Sequence, residues 1–259
     1  AKNMIYRTEH YRVLRFSGVD ALAFLQSQLT NDVAALTIGG WQWQGYCTAK
    51  GRLQATFALA RTAADTFDAV VPTSTIEVLA KRLTMFRLRS KLSIEIPADR
   101  AVVLSTSRES QLADVTTLSL PDGRAVQIAS IADAETLPAA NEVAWNVWQL
   151  ANINASIPEV TAATTEMFVP QMIAWDTVAP GGGVSFSKGC YPGQEIVARA
   201  HYRGAVKRHL AVVVLHANDQ PALGADTDLA DGRSAQICNV AANPARESEY
   251  VALVVAGEN

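Results

Sequence analysis

Cysteine, histidine and charge of one dominant sign are all scarce in this chain of 259 residues. The three cysteines, Cys47, Cys190 and Cys238, are dispersed and form no C-x-x-C pair, and none of the four histidines falls at ligand spacing from a cysteine. An odd, scattered set argues against a disulfide framework and against a four-ligand zinc or iron–sulfur site made by one chain, so no stably bound metal is expected. A reducing, cytoplasmic compartment is the expectation. Basic excess is also missing. Lys and Arg total 22 against 25 Asp and Glu, and a net charge of −3 offers no global attraction to nucleic acid or an anionic membrane. Direct nucleic-acid binding and membrane association are therefore not expected. No charged leader precedes an apolar run at the start, and no stretch approaches the ~18 apolar residues of a membrane span. Internal repeats and low-complexity tracts are absent. What remains is an ordinary globular composition, 49% hydrophobic and 18% charged, sufficient for one large domain or two to three small ones.

Periodicity supplies the elements. Met4 to Phe16 reads as one or two strands, and Ser17-Gly18-Val19-Asp20 as a turn with Asp20 capping a helix that buries Leu22, Leu25 and Leu29. Trp41 to Val71 has the pattern of an antiparallel meander with turns at Ala49-Lys50-Gly51-Arg52 and Ala64-Asp65. After Pro72, the spacing of Ile76, Leu79, Leu83 and Phe86 predicts an amphipathic helix. Val102 to Leu104 and Ala125 to Ile128 read as strands around a Pro121-Asp122-Gly123 turn. Asn141 to Ile153 reads as a helix burying Val143, Val147 and Leu150. Val212 to Leu215, Ala235 to Val240 and Tyr250 to Val255 are strands of a small β module. The class is α+β.

Two stretches concentrate positive charge in an acidic chain. Lys81, Arg82, Arg87, Arg89 and Lys91 form one, for which a solvated helix face competes with an anion site; Arg199, His201, Arg203, Lys207, Arg208 and His209 form the other. Both could line one anionic cleft. Between them, Gly181 to Glu195 combines a glycine-rich backbone with Lys188, Cys190, Pro192 and Gly193. A helix starting near Gly193 would bury Ile196, Val197 and Ala200 and set Arg199 and Arg203 four apart on another face. Cys190 beside that helix start and Lys188 would then be biased toward thiolate, since such surroundings lower a thiol pKa from ~8.5 into the range ~3.5 to 7.5. The competing reading is a small buried hydrophobe. Glu195 is placed to pair with Arg199 at i+4.

The run Lys188-Gly189-Cys190-Tyr191-Pro192-Gly193-Gln194-Glu195, followed by Val197-Ala198-Arg199 and Arg203-Gly204, resembles the K-G-C-Y-x-G-Q-E signature of the YgfZ-type folate-binding proteins, relatives of the glycine-cleavage T-protein, an aminomethyltransferase. Phe24 to Asp32, Cys47 to Arg52 and Phe168 to Gln171 agree in order and spacing, so the resemblance covers roughly residues 10 to 215. It implies a T-protein-like α+β body, residues 1–203, of intertwined subdomains around a central opening, one including roughly 98–160. A small C-terminal β-barrel, residues 204–259, would follow. It implies a reduced folate such as tetrahydrofolate as ligand, with iron–sulfur clients or carriers as partners. The implied role is making or repairing iron–sulfur clusters in other enzymes, including tRNA-modifying ones. Cys190 carries activity in this scheme, as a thiol or as one transient cluster ligand, with Lys188 and Arg199 as electrostatic support and Cys47 and Lys50 as weaker companions. Tyr11, Trp148, Asn154, Gln194 and Arg203 are the implied folate contacts, while Cys238 packs in its strand.

Two departures qualify the resemblance. The catalytic aspartate of the aminomethyltransferase corresponds to Ala55 and Thr56, neither of which ionises, so aminomethyl transfer by that route is not expected. The N-I-E-A-G-like segment, whose glutamate holds the pterin ring in relatives, reads Asn152-Ile153-Asn154-Ala155-Ser156 here. An amide in place of a carboxylate lowers expected folate affinity by ~1 to 3 kcal/mol. A folate-dependent one-carbon transferase or demethylase with its acid elsewhere is the alternative reading, and a tRNA-binding factor using the basic stretches is a third.

Overall fold

A computed structural model of the chain describes residues 4–108, 112–204 and 206–258. In chain order its elements are β1 (Ile5–Thr8), β2 (Tyr11–Ser17), α1 (Ala21–Gln28), β3 (Trp41–Cys47), β4 (Leu53–Ala63), β5 (Thr66–Pro72), α2 (Thr73–Phe86) and β6 (Ser93–Glu95). There follow β7 (Arg100–Ser105), β8 (Thr116–Ser119), β9 (Ala125–Ser130), α3 (Ile131–Glu135) and α4 (Glu142–Asn154). The last are α5 (Gln194–Arg203), β10 (Arg208–His216), β11 (Asp226–Asp228), β12 (Ser234–Ala242) and β13 (Glu249–Gly257). Three antiparallel sheets result, in the orders β3-β4-β5-β2-β6, β1-β7-β9-β8 and β10-β13-β12-β11, the last curled as a half-barrel. The expected opening strands are two, and they belong to different sheets.

Strand periodicity sorts side chains between two cores. On β4, Ala55, Phe57 and Leu59 face α1 and α2, as do Phe67, Ala69 and Val71 of β5 and Leu14 and Phe16 of β2. The alternate residues Ala58, Ala60, Val70, Tyr11 and Val13 join the other core, with Val102, Trp148 and Trp175. A sheet buried on both faces explains why the first eight residues of β4 are all buried, its polar Gln54 and Thr56 included. Truncating a fully buried member such as Leu25 or Leu59 to alanine costs about 2–5 kcal/mol. The half-barrel joins the second core through Cys238, Ala241 and Leu253.

Three local expectations are corrected. Asp20 occupies the α1 N-cap position, yet its carboxylate caps nothing; Oδ2 accepts from the Lys91 N–H at 2.7 Å instead. On α2 the buried row Ile76, Leu79 and Leu83 stops before Phe86, which is 46% exposed as the last helical residue, ahead of Leu88 at φ 49°. On α4 the inward face carries Trp148, Asn152 and Ile153, leaving Val143 and Val147 exposed. Positions 143 and 147 are spaced i, i+4, as are 148 and 152, so spacing does not choose between the rows; the larger apolar area of Trp148 does. Strands β6, β8 and β11 and the short helix α3 have no counterpart among the sequence expectations. No helix among the described residues is long and apolar enough to cross a membrane.

Candidate functional site

A narrow cavity, with a free volume of about 40 Å³, opens where β4 and β5 face β8, β9 and α4. Its walls are aromatic and apolar: Trp43 and Trp175 pack with ring centroids 5.3 Å apart, and Trp41, Tyr11 and Trp148 complete the lining. The indoles are fixed by their N–H groups, Trp43 donating to the Ala179 carbonyl at 2.9 Å and Trp175 to that of Gln44 at 3.2 Å. Such a lining, with few polar groups, is characteristic of small-molecule sites.

Glu159 supplies the carboxylate in this lining. Its Oε1 accepts from the Tyr11 hydroxyl, while the backbone at Glu159 is clamped by Asn239 of β12, which accepts from the N–H at 2.9 Å and donates to the carbonyl at 3.1 Å. The next N–H, of Val160, donates to Thr56 Oγ1 on β4 at 3.0 Å. Burial raises the carboxyl pKa to about 7, against smaller lowering contributions from the Tyr11 bond and the Arg124 charge. Burial, and then Glu159, push Tyr11 well above 10. Arg124 itself is spent on structure: its guanidinium lies 4.3 Å over the Trp148 ring, donates to Asn152 Oδ1 at 2.8 Å and pairs with Asp122 at 2.7 Å. The sequence reading passed over Glu159, although an isolated acid in the apolar stretch Ile157-Pro158-Glu159-Val160 was a usable signal.

Of the residues expected to contact folate, Tyr11 and Trp148 line the cavity. Asn154 does not: it is exposed at the end of α4, and Asn152, two residues earlier on the inward face, takes the wall position. Gln194 and Arg203 also lie outside the lining. Gln194 Nε2 reaches the Lys188 and Gly189 carbonyls, each at 3.4 Å, and Arg203 is exposed at the end of α5.

The glycine-rich segment reaches the cavity from behind. A Cβ on Gly183 would lie 2.4 Å from Trp175 Nε1, so only glycine permits this approach, and Thr30 Oγ1 holds the Gly183 carbonyl at 2.6 Å. Beyond it, Lys188 turns inward: its ammonium donates to the Gln26 carbonyl and, at 2.6 Å, to that of Leu29, and lies 5.1 Å over the Tyr191 ring. Burial lowers its pKa to about 8. Lys188, expected as electrostatic support for Cys190, spends its ammonium on bonds that close the end of α1. Arg199 pairs with Glu195 at 2.9 Å on the surface. Cys190 is exposed, four residues ahead of α5, whereas Cys47 and Cys238 are buried, with burial raising each thiol to about 12. Lys50 is exposed in the turn after Cys47, whose Gly51 packs on Ile196 of α5. The two basic stretches share no described cavity; Leu88 and Arg89 line a shallow surface pocket, while His209 pairs with Glu258. Among the described residues no three His, Cys, Asp or Glu side chains gather as a metal site.

No family model matches the sequence. A tRNA-modifying protein YgfZ from Enterobacter sp. (strain 638) is 30% identical over 253 residues, covering 87% of this chain and 76% of that protein. The chain belongs to the YgfZ family. Its YgfZ relative from Vibrio vulnificus is 29% identical over 224 residues, covering 76% of this chain and 66% of that protein. An uncharacterized protein of Haemophilus influenzae is 26% identical over 219 residues, covering 85% of this chain and 76% of its own length. The glycine cleavage system aminomethyltransferase T of Bartonella henselae superposes with a TM-score of 0.74 at 13% identity, covering 99% of this chain and 79% of that one. This YgfZ-family chain therefore has the T-protein fold. Where the resemblance aligns that enzyme's aspartate, it carries Ala55, buried in the helix-side core, and Thr56, whose hydroxyl is spent on Val160.

Proposed function

We propose that this chain is a reduced-folate-binding accessory protein that supports synthesis or repair of iron–sulfur clusters in client enzymes, tRNA-modifying ones among them, through Cys190. The observation that carries the reading is the contrast among thiols: Cys190 is exposed, while Cys47 and Cys238 are buried and held protonated. A single exposed thiol can serve as a nucleophile or as one ligand to cluster iron in transit, the client or carrier supplying the rest. Three unpaired cysteines support a cytoplasmic setting. Residues 1–203 form the folate-binding body in this reading and 204–259 the β module.

The lining of the cavity carries the kinds of group that contact the head of a folate. Indole faces of Trp43 and Trp148 offer stacking surfaces, and Glu159 offers a carboxylate for ring N–H groups. Glu159 also lines an open outer groove with His10, Trp145 and Gln149, a route by which a longer ligand could extend outward. A bound folate would supply one-carbon chemistry; this chain's residues would hold and orient it and exclude water. A second reading, a folate-dependent one-carbon transferase, rests on Glu159, whose proton affinity near neutrality suits an acid or base.

The test combines calorimetric titration of tetrahydrofolate with client iron–sulfur enzyme activity in cells carrying Cys190→Ala. Loss of client activity with folate binding intact is the expected result. Clients unaffected by the substitution would reject the Cys190 role, and turnover of tetrahydrofolate with a one-carbon donor would favour the transferase.

A further inference from the structure

We infer that the paired loops 17–20 and 87–92 form a surface that lies against an anionic phospholipid bilayer, seating Leu88, Phe86 and Val19 among headgroups that Lys81, Arg89 and Lys91 contact. The inference uses neither the aromatic cavity nor Cys190. A net charge of −3 predicts no membrane association, and this surface is a local exception to it.

Apolar side chains protrude here that the core does not use. Leu88 is 85% exposed, Val19 69% and Met85 57%, and Phe86 stands beside Met85 at the end of α2. Leu88 has a left-handed backbone at φ 49°, which glycine or asparagine adopts with less strain, so the turn itself gives no reason for a leucine. The two loops are tied to each other. The Asp20 N–H donates to the Lys91 carbonyl at 3.1 Å, and Asp20 Oδ2 accepts from the Lys91 N–H at 2.7 Å. Asp20, Leu88, Arg89 and Ser90 line one shallow depression between them.

Charge selects the partner. Between Val78 and Leu92 stand five cations and no acid, and none of the five forms an ion pair among the described residues. Two of them brace the fold from half-buried positions: Arg82 donates to the Tyr46 hydroxyl, and Arg87 Nη1 to the Leu92 carbonyl at 3.3 Å. Lys81, Arg89 and Lys91 are exposed, while the carboxylate of Asp20 is spent on the Lys91 N–H. An anionic bilayer answers both features, because the apolar tips enter the acyl boundary while the cations stay at the level of the phosphates. RNA would satisfy the cations and leave aliphatic side chains in water. A partner helix needs a groove, and a shallow depression does not supply one.

Sedimentation of the full chain with vesicles tests the inference. Vesicles of equimolar phosphatidylglycerol and phosphatidylcholine should carry the chain down, vesicles of phosphatidylcholine alone should not, and added salt should release it. Leu88→Asn, which suits the left-handed backbone, should weaken binding about tenfold through lost apolar insertion. Arg89→Gln combined with Lys91→Gln should weaken it by at least about tenfold, at roughly fivefold for each cation. Arg203→Gln combined with Lys207→Gln removes the same charge from the other basic stretch and should bind as wild type does. Urea denaturation checks that each variant folds. No binding to the anionic vesicles, equal binding to both compositions, binding that salt does not weaken, or an equal loss in the two double variants would each overturn the inference. So would full binding by Leu88→Asn. Titration of poly-L-glutamate forms the parallel arm: binding of that polymer, lost in Arg89→Gln with Lys91→Gln, in a chain that ignores the vesicles would assign the surface to an acidic polypeptide and reject the bilayer.

Discussion

Gly193 and Gly51 meet backbone to backbone: a Cβ on Gly193 would stand 2.7 Å from the Gly51 Cα and 2.4 Å from the Thr48 carbonyl oxygen. Gly193, at φ 80°, is the N-cap of α5, and Gly51, at φ 73°, closes the turn after Cys47. Two motifs far apart in sequence are thereby locked together, and the loop bearing Cys190 is set by that contact. Both glycines are required by sterics and by left-handed backbone conformation.

Gly193→Ala should therefore destabilise the chain by roughly 2–4 kcal/mol, combining left-handed strain with overpacking. Gly189→Ala is the control, because a Cβ there meets nothing within 4 Å. It should stay within about 0.5 kcal/mol of wild type in urea denaturation. Equal costs at the two positions would contradict the contact.

Glu159 ties stability to pH. Its carboxyl pKa rises from 4.5 to about 7 on folding, so between those values the native state binds more protons than the unfolded chain, and stability falls as pH rises through that window. The loss approaches roughly 3 kcal/mol by pH 8. The other titratable or charged groups coupled to it are Tyr11 from β2, Cys238 from β12 and Arg124; burial raises Tyr11 and Cys238, so neither changes state there. Glu159→Gln should gain stability relative to wild type between pH 5 and pH 8. A difference that is flat across this range would contradict the assigned environment.

Lys188 acts as a structural clamp. Replacing it with methionine leaves the Gln26 and Leu29 carbonyls without their side-chain donor, an expected cost of about 1–3 kcal/mol. The alkylation rate of Cys190 should be unchanged at each pH. A slower rate without loss of stability would restore Lys188 to the thiolate role.

Thiol titration should separate the three cysteines. In the native chain a water-soluble disulfide reagent should modify Cys190 alone, and all three thiols after denaturation. Rapid native modification of Cys47 or Cys238 would contradict their burial in the sheets.

Much of the fold was legible because it follows local periods. Alternation along β2, β4 and β5 and the row Ile76, Leu79 and Leu83 emerge from the side-chain directions of strand and helix. The exceptional character of the Cys190 segment was visible for a similar reason, since glycines, a lysine and a lone cysteine stand close together in the chain. Where two helical rows shared the same spacing, as on α4, the pattern could not say which faced inward, and packing volume decided.

The candidate site divides along the same line. By itself the sequence determined that Cys190 is the distinctive thiol, that no acid occupies positions 55 and 56, and that the chain has the α+β elements of its family. Tertiary structure alone decided the partners: Glu159 meets Tyr11 from 148 residues away and Asn239 from 80, and Lys188 finds the Gln26 carbonyl across 162. Local patterning records which way a side chain points from its own element. Which atoms wait there depends on how distant strands cross, and burial at that crossing sets whether a carboxylate or an ammonium keeps its ordinary proton affinity.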